Sequence, residues 1–408
     1  MIEALRSGDW LDEARVRRIA LVMLAVSIAL IAWLLATAQG TLDYKGRPIG
    51  ADFSQVYTAG QMALEGRSVQ VWNWDIHRSV QQAFHGPALA EWYGWHYPPP
   101  FLLIATALAT FPYYAALALW QGATLGPLLV LANRVTGRGD GWKFVAGAPV
   151  TMICLMHGHN GFLTALLFGG GLWLLDRKPL LAGLLLGCLV YKPQFALLLP
   201  PLLLVARSWP AIVGAAISAL GLIALTLVIW GWPAWQAFFD SLPLTREIVI
   251  EQGRTGWHKI MSPFAATRAW GLPLSPAYAV QSAFSLAAIG ATLWLAWRSR
   301  PALRNAAASA AALIATPYVL DYDFVILLVG IVFLWIDARD RGWLPWDKTI
   351  LAIAWISPLL ARPIAEATTI PLGLLTALAV LALAIRRGMD ASLITASPSR
   401  HSRAASAP

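Results

Sequence analysis

Between residues 19 and 385 long apolar runs alternate with short connectors, and no other feature limits the possible folds so much. The runs lie at 19–38, 101–135, 144–156, 162–175, 180–190, 195–206, 211–230, 277–297, 306–320, 324–336, 350–360 and 370–385. Of 408 residues, 58% are hydrophobic and 12% charged, more apolar surface than a water-soluble fold could cover. The pattern predicts an all-α, polytopic membrane protein.

The formal net charge of +9 does not point to nucleic acid, because the cations sit in connectors between apolar runs. Arg15–Arg18, Arg177-Lys178, Arg207, Arg298–Arg304, Asp337–Lys348 and Arg386-Arg387 follow the rule that cytoplasmic loops are rich in Lys and Arg. The first run ends in Ala36-Thr37-Ala38, like a signal-peptidase site, but it exceeds the apolar core of a cleaved signal. An uncleaved first helix with its N-terminus inside is expected. Phe111-Pro112 splits the run 101–135, which reads as one long span or a span plus a re-entrant piece. About 12 transmembrane helices with both termini inside follow. The expected layout is a cytoplasmic N-terminus at 1–16, one multi-pass domain at 17–386, outer loops at 40–97 and 231–275, and a disordered cytoplasmic tail at 387–408. Cys154 and Cys188 lie within apolar runs and read as buried small hydrophobes.

By alternation one face receives the loop 40–97, "HGHNG" (157–161), "YKPQ" (191–194), the loop 231–275 and "TPYVLDYD" (316–323). The first loop interleaves Trp72, Trp74, Trp92 and Trp95 with acids and histidines, so short amphipathic helices along the membrane surface are expected there. It ends in "YPPPF", prolines suited to opening a helix. Asp52 is ordinarily a solvated or N-capping residue in such a place; the alternative is a general base beside lipid. "HGHNG" reads as a turn that satisfies helix ends, or as His159 and Asn160 contacting sugar or phosphate oxygens; His157, Cys154 and His159 make only a sparse metal pattern. Lys192 either snorkels to the interface or, beside the helix-breaking Pro193, seats a phosphate. Asp321 and Asp323 suit a helix N-terminus, a sugar hydroxyl or a partner for Lys192. Arg246, Arg254, His258 and Lys259 form a basic stretch in the second outer loop, fit for an anionic headgroup or for solvent. There is no nucleotide-binding glycine motif, HExxH or nucleophile elbow, so an ATP-driven pump or soluble-nucleotide enzyme has no support; no cofactor and no metal-ligand residues are assigned.

Taken in order, "DFSQVYTAG", "YPPPF", "HGHNGF", "YKPQF" and "ATPYVLDYDF" resemble glycosyltransferase family 87, long called domain of unknown function 2029, over about residues 17 to 386. The resemblance implies a GT-C type enzyme of a bacterial inner membrane. Such an enzyme takes a sugar, mannose in the best-known members, from a polyprenyl-phosphate donor to a glycolipid or glycan acceptor on the non-cytoplasmic face. It implies Asp52 as catalytic base, and Tyr57, His159, Asn160, Lys192, Gln194, Asp321, Arg254 and Lys259 as substrate contacts. His159 stands where glutamine is more usual, and Leu320, Asp321 and Tyr322 stand where some members carry a donor-phosphate histidine. An inverting single displacement needs one carboxylate, whereas glycoside hydrolysis typically needs two. A transporter or flippase of lipid-linked glycan, lined by the same ionisable groups, is the other class of function this pattern allows.

Overall fold

The computed structural model describes residues 1–390. It is all-helical; among the described residues the only β features are three isolated bridges. Five helices are long and apolar enough to cross a bilayer: Glu13–Ala36, Tyr113–Thr136, Trp209–Glu251, Leu274–Arg298 and Leu372–Met389. A sixth arises if Asp347–Ile356 and Pro358–Thr368, bent by 73°, count as one span. The other apolar runs form shorter helices, among them Pro99–Leu108, Gly161–Leu174, Pro179–Tyr191 and Pro193–Val205. Prolines and glycines cut these runs below the ~20 residues a straight span needs, which separates this set from the expected dozen.

The run 101–135 resolves into a ten-residue helix, Pro99–Leu108, and the long helix Tyr113–Thr136. As the prolines predicted, Pro98 caps the short helix and Pro99 opens it. The expected outer loop 231–275 is instead helical through Thr245 after a break at Gly231 (φ 71°, ψ −179°). Aromatic side chains explain this: Trp235 and Phe238 are buried, and Phe238 meets the Trp72 ring edge-on. The C-terminal helix runs to Met389, so residues 387–389 are helical rather than tail, and 391–408 lie outside the described residues.

In the first loop, helix Trp74–His85 is amphipathic and capped by Asn73, whose side chain accepts from the backbone of Asp75 and Ile76. Helix Ala51–Leu64 does not lie on the surface as expected, for most of it is buried. It packs on Pro99–Leu108 through Gly60, where any Cβ would sit 2.0 Å from the Ala105 carbonyl oxygen. Small residues also set the crossing of Pro179–Gly187 with Trp209–Thr245. There a Cβ on Gly183 would meet the Ala211 carbonyl at 2.0 Å, the close approach that membrane helices favour.

Helices Tyr113–Thr136 and Val325–Arg341 both run from the Asp52 region to the opposite end of the bundle. Tyr113 donates its hydroxyl to the Ile49 carbonyl, while the Thr136 carbonyl accepts from Arg339. At 1.5 Å per residue the longer helix separates its ends by about 36 Å. The basic connectors gather at the far end: Arg300 and Arg387 share Asp337 at 2.7 and 2.8 Å, Arg386 and Arg387 both bond Asp347, and Arg304 binds Asp176 at 2.7 Å.

Candidate active site

Helix Ala51–Leu64 begins at Gly50 in the left-handed region, and Asp52 sits in its first turn, where the helix dipole favours a carboxylate. Asp52 is not the cap. Its side chain turns to His157, whose ring Nδ1 lies 3.0 Å from Oδ2, and Gln55 donates to Oδ1 at 3.4 Å. The two side chains are 12% and 25% exposed, so the pair is sheltered yet reachable.

Gly158 makes this contact possible. Its φ is +61°, and a Cβ there would strike the Phe53 Cβ at 2.6 Å. A side chain would push residues 157–160 off the start of the Asp52 helix. Trp120 pins the turn from behind by donating Nε1–H to the Gly158 carbonyl.

The other end of the same turn holds the buried cation. Asn160 Oδ1 accepts from Lys192 Nζ at 3.0 Å, and Asp323 Oδ1 accepts from it at 2.6 Å. Asp323 uses Oδ2 to accept from the Leu320 backbone, closing the turn that opens the next helix. Consecutive Cα atoms are 3.8 Å apart, so the backbones of His157 and Asn160 are at most ~11 Å apart. One tetrapeptide thus links the sheltered carboxylate to the buried ammonium. Between them His159 stacks on Tyr322 at 3.6 Å between ring centroids and lies 3.3 Å from the Tyr97 hydroxyl.

Asp321 does not partner Lys192; Asp323 does. Two residues along a tight turn reverse a side chain's direction, and Asp321 points instead to Arg362, 2.8 Å away on the helix Pro358–Thr368. That helix also borders the second basic stretch: burial lowers the His258 pKa, with Glu366 opposing and Lys259 and Arg362 adding to the shift. Lys259 is half-buried, whereas Arg254 is exposed and makes no ion pair among the described residues. Gln194 is half-buried beside Lys192. Tyr57 faces away from Asp52, its hydroxyl bonded to the Phe111 carbonyl and its ring among Phe53, Phe84 and Tyr113. Cys154 turns its thiol to the His159 carbonyl.

The Asp52 charge reaches Tyr93, His96 and Tyr97. Burial pushes His96 down to about 4 against an upward pull from the Asp52 carboxylate. The same charge also acts on Tyr318 and Tyr322. Buried donors here lack a protein partner among the described residues, notably Asn160 Nδ2 and Arg362 Nε, and buried polar groups are seldom left so without a ligand or water to meet them. The site can therefore accept a proton at a half-sheltered carboxylate and donate hydrogen bonds to oxygens beside it.

Sequence reasoning missed three parts of this arrangement. The sequence marks His157 only as a sparse metal ligand, does not separate Asp323 from Asp321, and gives no signal at Arg362, which lies in an unremarkable helix some 40 positions beyond the motif.

The family model of glycosyltransferase family 87 matches residues 95–320, more than half of the chain. This chain belongs to glycosyltransferase family 87. The matched span of this family 87 protein contains Tyr97, the turn 157–160, Lys192 and Lys259; Asp52, Asp321, Asp323 and Arg362 lie outside it. No curated protein and no solved structure matches the chain. The protein is thus a membrane glycosyltransferase, with a sugar donor and an acceptor as its substrates.

Proposed function

We propose that the protein transfers a sugar, mannose by its resemblance, from a polyprenyl-phosphate donor to an envelope glycan or glycolipid, by inverting single displacement. The acceptor hydroxyl oxygen bonds to the anomeric carbon as the bond from that carbon to the phosphate oxygen breaks. The proton passes to Asp52, and the electron pair leaves with the prenyl phosphate. The reading assigns the reaction to the non-cytoplasmic face of a bacterial inner membrane, within a bundle of about twelve spanning or partly spanning helices.

The observation that carries this reading is the Asp52–His157 contact of 3.0 Å, formed by the same turn that holds Lys192. His157 donates Nδ1–H to the carboxylate and so fixes its orientation toward an incoming hydroxyl. Lys192, neutralised by Asp323, organises the floor of the site rather than supplying a free cation. The leaving phosphate is met by Lys259 and Arg362, with Asn160 offering its unpartnered amide N–H. Half-exposed Trp74, Trp92 and Tyr93 border the acceptor side.

The test is transfer in proteoliposomes carrying polyprenyl-phosphate sugar. Asp52→Asn should lower the rate by about 10²–10⁴-fold, the range for loss of a general base, with unchanged insertion and melting. Wild-type rates from this variant would falsify the assignment of Asp52. Movement of labelled lipid-linked sugar across the vesicle without product would favour the flippase reading instead.

A further inference from the structure

A large cavity lies at the other end of the bundle, away from Asp52. It holds about 560 Å³ between helices Glu13–Ala36, Val325–Arg341 and Asp347–Ile356, within the ~300–1,000 Å³ typical of ligand sites. Its body is apolar, walled by Val16, Ile19, Phe144, Ile331, Val332 and Leu351. Water has few partners against such walls, whereas an acyl chain suits them.

Its mouth is charged and unevenly neutralised. Five cations line it, Arg17, Arg138, Lys143, Arg339 and Lys348, against the acids Asp12, Glu13 and Asp140. Arg138 is engaged by Glu13 and Asp140 together, and Arg339 by Asp340 and the Thr136 carbonyl. Lys143 makes no ion pair among the described residues and lies over the Trp142 ring. Lys348 reaches only Asp9, at 3.9 Å and 83% exposed, and rests near the Trp343 ring. An indole face holds a lysine in position without neutralising it. Two ammonium groups with spare donors therefore stand over an apolar cleft among tryptophans, as expected at interfacial depth.

We propose that this cavity binds an anionic phospholipid of the leaflet at that end of the bundle, with an acyl chain in the cleft and the headgroup phosphate at Lys143 and Lys348. A zwitterionic lipid would fill the same cleft but gain less from these weakly paired cations, Lys348 near Asp9 and Lys143 near Asp140. The site is separate from Asp52, so it stands whatever the transfer chemistry proves to be.

Native mass spectrometry of the full chain in neutral detergent, with phosphatidylglycerol, phosphatidylcholine, polyprenyl phosphate or inorganic phosphate added, tests this. The wild type should retain phosphatidylglycerol about 25-fold better than phosphatidylcholine, roughly fivefold per lysine. Lys143→Gln with Lys348→Gln should cut that preference to about twofold. Ala352→Phe, which fills the cavity wall without touching charge, should lower retention of both lipids. Equal retention of the two lipids by the wild type overturns the proposal, as does an undiminished preference in the glutamine variant. Inorganic phosphate displacing the lipid would indicate an anion site without a chain. Polyprenyl phosphate displacing it at equal concentration would make the cleft a carrier-lipid site. Either displacement also overturns it. Should the glutamine variant fail to fold, unchanged lipid retention by Ala352→Phe overturns it alone.

Discussion

Both ends of the bundle bury ion pairs, but they differ in the charges that surround them. At the Asp52 end the ion pair is dry: Lys192 and Asp323 are 4% and 2% exposed and meet at 2.6 Å. Every histidine among the described residues is also there, and burial pushes His85 down to about 4 and His77 to about 3. The far end has a buried Arg387 shared by Asp337 and Asp347, but around it many exposed cations and no described histidine. One end thus holds its polar side chains at fixed positions, whereas the other carries more exposed cations.

The largest effect that would break this contrast is at the buried pair. Lys192→Met leaves the Asp323 carboxylate without its cation in a dry setting, which should cost about 3–5 kcal/mol. Thermal unfolding in detergent measures it, and adding Asp323→Leu should recover most of the loss. A melting temperature unmoved by the single change would mean the pair is solvated, and the two ends would then not differ as described.

Acid should separate the ends next. His77 and His85 have folded pKa values below the unfolded 6.5, so the unfolded chain binds more protons between those values. Stability is therefore full above pH 6.5 and falls as pH drops toward 4, by on the order of 2 kcal/mol for each histidine at pH 5. Hydrogen exchange should show residues 40–97 loosening at pH 5 while the helix Leu372–Met389 keeps its protection. Uniform loosening would remove the histidines as the cause.

A smaller effect sharpens the role of the turn. Gly158→Ala combines a left-handed backbone with a 2.6 Å clash on Phe53, for about 1–3 kcal/mol of stability. Since the strain falls between His157 and Asp52, transfer should drop by more than the stability loss explains; parallel losses would make the turn merely structural. Smallest of all, Lys348→Gln at the far end should change melting in lipid-free detergent by less than about 0.5 kcal/mol and leave transfer intact.

Much of the helical frame was legible from the sequence. Proline positions marked where Pro99–Leu108 begins and where the run 101–135 divides, because a ring that fixes φ and removes an N–H acts locally. The basic connectors foretold one cation-rich end for the same reason: hydration of each charge is a property of the residue itself. The buried character of Ala51–Leu64 and the helix beyond Gly231 were not legible, since both depend on partners distant in the chain. Within the site, sequence singled out Asp52, Asn160 and Lys192 as unusual polar residues beside apolar runs. It could not say that His157 would face Asp52, that Asp323 rather than Asp321 would face Lys192, or that Arg362 would arrive from a late helix.

What the sequence alone determined is therefore solubility and punctuation: which stretches prefer lipid, where helices must stop, and which residues are too polar to be there without a reason. Tertiary structure decided the pairings, because a hydrogen bond or ion pair depends on distances of about 3 Å. Those distances are set by how closely helices approach at residues such as Gly60 and Gly158, not by any property readable from one position.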